Sequence, residues 1–599
     1  MQPAPKFPDP ELVDLSRTYD AVVVGSGAAG GMAANVLTAK GFDVLLLEAG
    51  AHIDTSATLK SSEWPYEHPR QGKLPPDTYV IDEGDYRKYK PPYARHFGRY
   101  TNVVNWQQLG EGPDYTRDLF VNEKEHPYTG TQFSWVRARA LGGKTNVWGR
   151  LALRLSDYDF KAASRDGYGD DWPISYADIA PYYDKVDRYL GISGVTENIP
   201  WLPDSIYQRP MRLNEPEVAI REKLAGTGRV LTPFRLGVST DGLAHNQYRH
   251  RCMGRGACQR RVGGCDIHAA FDSPTGLIYP AYDTSRLTVR TNAVAYEVEI
   301  DPKSGKASGV AFLDASSRKS YSVRAKIVVL GASTLESTRI MLNSRSRFYP
   351  DGIANSSRHL GHNLAEHVMG PRVEGIYKSR VGGECRNEDG RPGGFYIPRF
   401  QNLDKATTSK SFIRGYGLEG SAGQEMFPEQ AILMSGFGAS YKKTVRDHAG
   451  ACVYMYGLGE VLPRFENKVS LDPDIKDVHG LPVLRFSYMH GDNEKKMCDD
   501  MTARMQEIFE DCGLEVTKVN GSRLTEGSSV HEVGTARMGN DPRTSVLNPF
   551  CQSHDVKNLY VVDGSSFVSA GNQNPTWTIL ALAWRACDHM AEALEKGEL

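Results

Sequence analysis

The stretch YDAVVVGSGAAG, residues 19 to 30, restricts the possible folds more than any other part of the chain. A short apolar run, Ala21 to Val24, meets Gly25, Gly27 and Gly30, and GMAANVLTAKG then reads as a helix that stops at Gly41. FDVLLLEAG supplies a second strand running into Glu48. Strand, glycine turn, helix and strand in this order form a βαβ unit of the dinucleotide-binding kind. Gly25 suits the tight turn, Gly27 lets the backbone approach a pyrophosphate with Ala28 beside it, and Gly30 lets helix and strand pack closely. The helix N-terminus turns its positive end toward the phosphates. Glu48 stands where an acidic side chain can hold the hydroxyls of an adenosine ribose. The motif alone fits NAD and FAD equally.

The 599 residues are 40% hydrophobic and 24% charged, the profile of an ordinary globular protein with two or three structural units. A formal net charge of -2 carries no basic surplus, which argues against nucleic acid or an anionic membrane as partner and for a small-molecule substrate. Nine cysteines spread over this length suit thiols or metal ligands better than a disulfide framework. The opening MQPAPKFPDPELVDLSRTYD has no basic region followed by an apolar run, and no apolar stretch reaches the roughly 18 residues that would span a bilayer. The expected location is cytoplasmic, or periplasmic by export bound to a signal-bearing partner.

Three later segments distinguish the two cofactors. RARALGGKTNVWGRLALR covers residues 137 to 154, AKIVVLGASTLESTRIMLNS covers 325 to 344, and VHEVGTARMGNDPRTSVLNPFCQSHDVKNLYVVDGSSFVSAGNQNPTWTILALAWRACDHM closes the chain. Together with the first glycine motif, they resemble the glucose-methanol-choline (GMC) oxidoreductase family. Bridging stretches such as DDWPISYADIAPYYDKVDRYLGISG and ENKVSLDPDIKDVHGLPVLRFSY are similar to its bacterial sugar-oxidising branch. The resemblance implies FAD, with Arg139, Gly142, Gly143, Asn146 and Trp148 along the flavin and ribityl chain. It implies Ala332 and Glu336 near the adenine end, and adds Val294, Asp563, Gly564, Pro575 and Thr576 to the cofactor-binding set.

The last segment also reads from its residues. LYVVDGSSF is a buried strand opening onto Asp563 and Gly564, and the helix after it is expected to begin with Asn574 as N-cap and Pro575 at its first position. By resemblance, the positive end of this helix faces the side of the flavin that gains negative charge on reduction.

Oxidising an alcohol by hydride transfer requires a base for the hydroxyl proton, and histidine suits that role near neutral pH. The residue matching the family base is His531 in SSVHEVGTARMG, and Asn574 in NQNPT matches the partner that hydrogen-bonds the alcohol oxygen. His367, in NLAEHV, matches a family position but is given no chemistry, and the remaining histidines are read as ordinary. Some relatives carry a histidine before the tryptophan of the second glycine segment and bond it to the flavin. This chain has Val147 there, so its FAD is expected to be non-covalent.

The implied architecture is α/β (α+β): a Rossmann-like FAD-binding domain with an interleaved, sheet-containing substrate domain. The FAD domain is drawn from residues 15–60, 130–200, 250–345 and 525–599. Residues 61–129, rich in Pro and Tyr, read as a loop or lid, and 201–249 with 350–524 form the substrate domain. The strand-like NKVSLDP and LPVLRFSY fall in the latter.

The expected reaction is FAD-dependent oxidation of a secondary hydroxyl of a pyranose or glycoside, best placed at C3, to a ketone. The alternatives are an oxidase that makes peroxide and a flavin-binding electron-relay subunit. HRCMGRGACQRRVGGCDIH bears on the electron acceptor. Relatives that pass electrons to a cytochrome, with a small companion subunit, carry a cysteine-rich iron–sulfur segment here. Cys252, Cys258 and Cys265 are three thiolates that would suffice for three irons, but Met253 replaces one family cysteine and the second spacing is longer. Vestigial, buried or partly disulfide-linked cysteines are favoured over a cluster.

Overall fold

The computed structural model describes residues 2–53, 120–121, 125–253, 265–383, 394–423, 435–521 and 524–599. The βαβ unit is present as β1 (Thr18–Val24), α1 (Ala28–Ala39) and β2 (Val44–Leu47). β1 is longer than its apolar run suggests, because Thr18 and Tyr19 pair with Arg324 and Ala325. α1 starts before Gly31 and ends at Ala39 with Lys40 as C-cap, and Gly41 at φ +90° follows. Two glycines inside a helix weaken it by about 1 kcal/mol each relative to alanine, yet close packing requires both. A Cβ on Gly30 would overlap the Gly25 carbonyl, and one on Gly31 would overlap the Ser273 hydroxyl.

β1 lies between β2 and the strand Ser320–Leu330, all parallel, with Val22 opposite Leu45 on one side and Val328 on the other. Leu287–Arg290 extends the sheet beyond β2, and Leu559–Val561 joins residues 328–330. The first part of Ser320–Leu330 instead pairs antiparallel with Ala307–Asp314, which pairs in turn with Ala293–Ile300. All four residues of β2 and the last four of β1 are buried, as expected of strands covered on both faces. α1 packs on the helix Thr576–Glu595, which also packs on Tyr176–Leu190.

A second seven-stranded sheet is antiparallel, in the order Glu515–Asn520, Arg372–Ile376, Cys452–Glu460, Tyr416–Ala422, Phe395–Ile397 and Thr232–Pro233, with His367–Val368 on the end of Cys452–Glu460. One face is covered by the helix Asp492–Asp511, whose Met497 and Met501 occupy the space a Cβ on Gly457 or Gly459 would need. On Tyr416–Ala422, Glu419 sits between Tyr396 and Tyr456, and Ser421 is opposite Tyr454. This is the face opposite the methionines.

NKVSLDP and LPVLRFSY do form strands, Lys468–Lys476 and Pro482–Ser487, but in a separate small sheet completed by Thr129–Gly130. The chain thus has the expected architecture: a Rossmann-like sheet with helices, and a second sheet interleaved with it in sequence. Residues 54–119 and 122–124, most of the expected loop or lid, lie outside the described residues. Among the described residues no helix is long and apolar enough to cross a membrane.

Candidate active site

The glycine turn is tied to the second glycine segment through Ser26, a residue the motif does not mark. Ser26 donates from its backbone N–H at 3.1 Å and from its hydroxyl to Oε2 of Glu48, and the same hydroxyl accepts from the Gly142 N–H at 2.8 Å. Gly50 N–H donates to Oε1 of Glu48 at 2.7 Å. Burial pushes the Glu48 carboxyl above its ordinary value, against these hydrogen bonds. Gly25 holds φ +91°, and a Cβ there would lie 2.5 Å from the Gly331 carbonyl oxygen and 2.6 Å from the Ala332 Cα.

These residues fit a dinucleotide. A Cβ on Gly27 would meet nothing within 4 Å, so the backbone is bare toward open space, and α1 begins at Ala28 with no side-chain cap on its N–H groups. A Cβ on Gly143 would come within 3.6 Å of the Gly27 Cα, so the two glycine segments face each other across this space. Gly142, at φ +95°, packs on Pro274, and Asn146 holds the turn by donating to the Leu141 and Gly143 carbonyls. Oδ1 of Asn146 is buried without a partner. Trp148 donates its indole N–H to the Phe271 carbonyl at 2.9 Å.

Arg139 reaches Nε2 of His126 at 3.0 Å and Glu336 at 3.9 Å. Burial raises the Glu336 carboxyl, but Arg339, Arg139, Arg137 and His126 together hold it below its ordinary value. Oε1 of Glu336 is buried without a hydrogen bond. Val294 is buried beside the end of β2, where Ala293 N–H donates to the Glu48 carbonyl. Asp563 accepts from the Ser337 hydroxyl at 2.5 Å and the Ser565 N–H at 3.0 Å, and Gly564 packs against Thr334.

The C-terminal helix begins one residue later than expected: Thr576 is its first residue and Pro575 occupies the N-cap position. Asn574 does not cap it. Its side chain lies near enough to Glu419 to favour that carboxyl's charged form, and the helix start has no side-chain cap.

His531 follows Val530, which holds φ +56°, a strained value for a β-branched residue. The segment is fixed from two sides. Lys144 donates to the Val530 carbonyl at 3.3 Å and to Oε2 of Glu532 at 2.6 Å. Glu366 accepts from the Gly527 N–H at 2.6 Å and the Ser529 hydroxyl at 2.8 Å, and Ser529 Oγ in turn accepts from the His531 N–H at 3.4 Å.

Nδ1 of His531 lies 3.1 Å from Nδ1 of the fully buried His367. Burial brings His367 down to about 3, against the help of the Gly571 backbone, so it is neutral. Burial, His367 and Lys144 likewise hold His531 well below its ordinary value. Between two neutral imidazoles only one Nδ1 carries the shared proton. In the tautomer where His367 carries its single proton on Nε2, a buried atom with no hydrogen-bond partner, its Nδ1 accepts and His531 donates. Nε2 of His531 is then left with a free lone pair, as a base requires.

Cys252 and Cys265 are half-buried beside Leu151, Met211, Leu236, Val238 and Ala269. Cys258 lies outside the described residues, among which no group of three His, Cys, Asp or Glu side chains is placed to hold a metal.

Two family models, both described as GMC oxidoreductase, match residues 19–369 and 463–583. The chain is 30% identical over 519 residues to 2-methyl-1,2-propanediol dehydrogenase of Mycolicibacterium austroafricanum, covering 84% of this chain and 88% of that one. It is 27% identical to the fructose dehydrogenase large subunit of Gluconobacter japonicus, covering 96% and 98%. The structure of pyridoxine 4-oxidase from Mesorbium loti has the same fold, with a TM-score of 0.56 at 16% identity over 95% of this chain and 98% of that one. The chain belongs to the GMC oxidoreductase family, whose members typically bind FAD.

Proposed function

We propose that this protein is an FAD-dependent dehydrogenase that oxidises a secondary hydroxyl of a pyranose or glycoside to the ketone, with C3 as the preferred position. The observation that carries this reading is the 3.1 Å His531–His367 contact, beside which burial and His367 hold His531 well below its ordinary value and so neutral. His531 removes the hydroxyl proton at that atom, while Asn574 hydrogen-bonds the alcohol oxygen and steadies the developing alkoxide. FAD, when bound, supplies the acceptor for the hydride that leaves the same carbon. Gly25, Gly27, Ala28, Gly30 and Glu48 would hold its adenosine and pyrophosphate. Gly142, Gly143, Asn146, Asp563, Gly564, Pro575 and Thr576 would lie toward the flavin. Val147, which cannot bond to a flavin, supports non-covalent binding.

Two observations support a polyhydroxylated substrate. Tyr396, Glu419, Ser421, Tyr454 and Tyr456 lie on one face of the second sheet, and the two similar relatives are named for a diol and a sugar. The placement at C3 rests on the resemblance to the sugar-oxidising branch. The name of the Gluconobacter relative, a large subunit, supports a companion subunit; a cytochrome as electron acceptor rests on the resemblance to the sugar-oxidising branch. The test is anaerobic bleaching of the flavin by a panel of sugars and glycosides, with the product's carbonyl located by NMR. Bleaching by at least one sugar and a 3-keto product are expected. Reduction only by non-sugar alcohols overturns the substrate assignment. Rapid reoxidation in air with one peroxide per turnover favours an oxidase.

A further inference from the structure

Glu419 sits in the middle of Tyr416–Ala422, fully buried, with Tyr396 and Tyr456 directly opposite on the two neighbouring strands. The Tyr456 hydroxyl donates to Oε2. Oε1 is buried with no hydrogen bond of its own, and so is Oδ1 of Asn574. The Asn574 side chain is nonetheless near enough to favour the charged form of this carboxyl. A carboxyl with one oxygen orphaned in the interior is costly to keep, and this one faces the amide assigned to the alcohol.

We propose that Glu419 is a positioning residue for Asn574: its carboxylate, anchored on Oε2 by Tyr456, accepts one amide proton of Asn574 on Oε1 and directs the second amide proton to the oxygen of the substrate alcohol. This rests on the assignment of Asn574 to the alcohol oxygen under the proposed function. An amide side chain has two orientations of similar shape, and only a fixed partner selects between them. The ionised carboxylate holds Nδ2. Once protonated, it offers its own O–H to Oδ1 and releases that constraint.

The titratable groups facing Glu419 are Tyr396 on one flanking strand and Tyr454 and Tyr456 on the other, with the Asn574 amide between sheet and helix. Burial pushes the carboxyl up to about 7, against the hydrogen bonds from Tyr456 and Asn574. The control of Asn574 is therefore fully present above about pH 7 and lost as pH falls through that value.

The experiment is a double-mutant cycle of Glu419→Gln and Asn574→Ala on the FAD-loaded protein, read by the anaerobic bleaching rate across pH. Glu419→Gln is expected to slow bleaching by about ten- to a hundredfold and to move the acid limb from near 7 to below 6.5, where His531 titrates. In the Asn574→Ala background the same change should cost little, because the two act as one unit. Additive losses, or an acid limb unmoved by Glu419→Gln, overturn the proposal. Should Glu419→Gln not fold, Tyr456→Phe serves: without the tyrosine donor the limb should rise, and an unchanged limb counts against the proposal. If a non-sugar alcohol bleaches the flavin and no sugar does, the substrate assignment fails while the cycle is run with that alcohol. If no alcohol bleaches it, both readings fall.

Discussion

His367 and His531 meet Nδ1 to Nδ1 at 3.1 Å, a contact between residues 164 positions apart that engages Nδ1 of His531 and leaves Nε2 out of the pair. Replacing His367 by phenylalanine keeps the ring but removes the acceptor. The bleaching rate should fall by about ten- to a hundredfold with flavin content unchanged. His367→Gln, whose carbonyl can accept from His531, should recover part of that loss. His531→Ala should cost about 10²- to 10⁴-fold. Equal rates for wild type and His367→Phe in stopped-flow reduction would remove His367 from the reaction.

The same pair makes folding sensitive to acid. An unfolded histidine binds a proton below about 6.5, whereas folded His367 does so only near 3. Between those values the unfolded chain holds the extra proton, so stability is fully present above about pH 6.5 and falls as pH drops toward 3. The slope expected from this residue is about 1.4 kcal/mol per pH unit. Denaturant unfolding of wild type and His367→Phe at pH 7.5 and 5.5 should therefore show a steeper loss in the wild type. Parallel losses would show that the proton is taken up elsewhere.

Ser26 is placed to govern cofactor affinity, since its hydroxyl couples Glu48 to Gly142. Ser26→Ala removes both bonds and should weaken FAD binding by about tenfold or more, measured by flavin fluorescence titration of the apoprotein. In wild type, acid precipitation should leave the yellow colour in the supernatant. Flavin retained in the pellet would contradict non-covalent binding.

Cys252 and Cys265 pack against an apolar cluster, and among the described residues no group of three ligating side chains stands beside them. Purified protein is expected to contain FAD without stoichiometric iron, and Cys252→Ser with Cys265→Ser should not change bleaching by sugar. Three irons per chain in elemental analysis would reverse this reading.

The nucleotide unit was legible because its parts lie within thirty residues: Val22, Gly25, Gly30 and Glu48 each have a local role that follows from strand, turn and helix. The contacts that shape the catalytic centre carry no local signal. Lys144 meets Glu532 across 388 positions, and Glu366 and His367 become partners of residues 527–531 only through the fold. Glu419 reads in sequence as one more acid in the run YGLEGSA, whose glycines hide the strand period. Asn574 matched a capping signal, but the helix starts at Thr576 with Pro575 in the N-cap position and no side-chain cap.

The pairing of Ser320–Leu330 with both β1 and Leu559–Val561 has a consequence for how the molecule is made. During synthesis the glycine turn emerges first, but its sheet lacks its central strand until more than three hundred residues have followed. The helix that packs on α1 comes later still. A ribosome-bound intermediate must hold an unfinished sheet in the meantime, with its apolar strands open to wrong partners. Because Asn574 lies two residues before that last helix, a chain arrested ahead of both loses the reaction and the closure of its own core together.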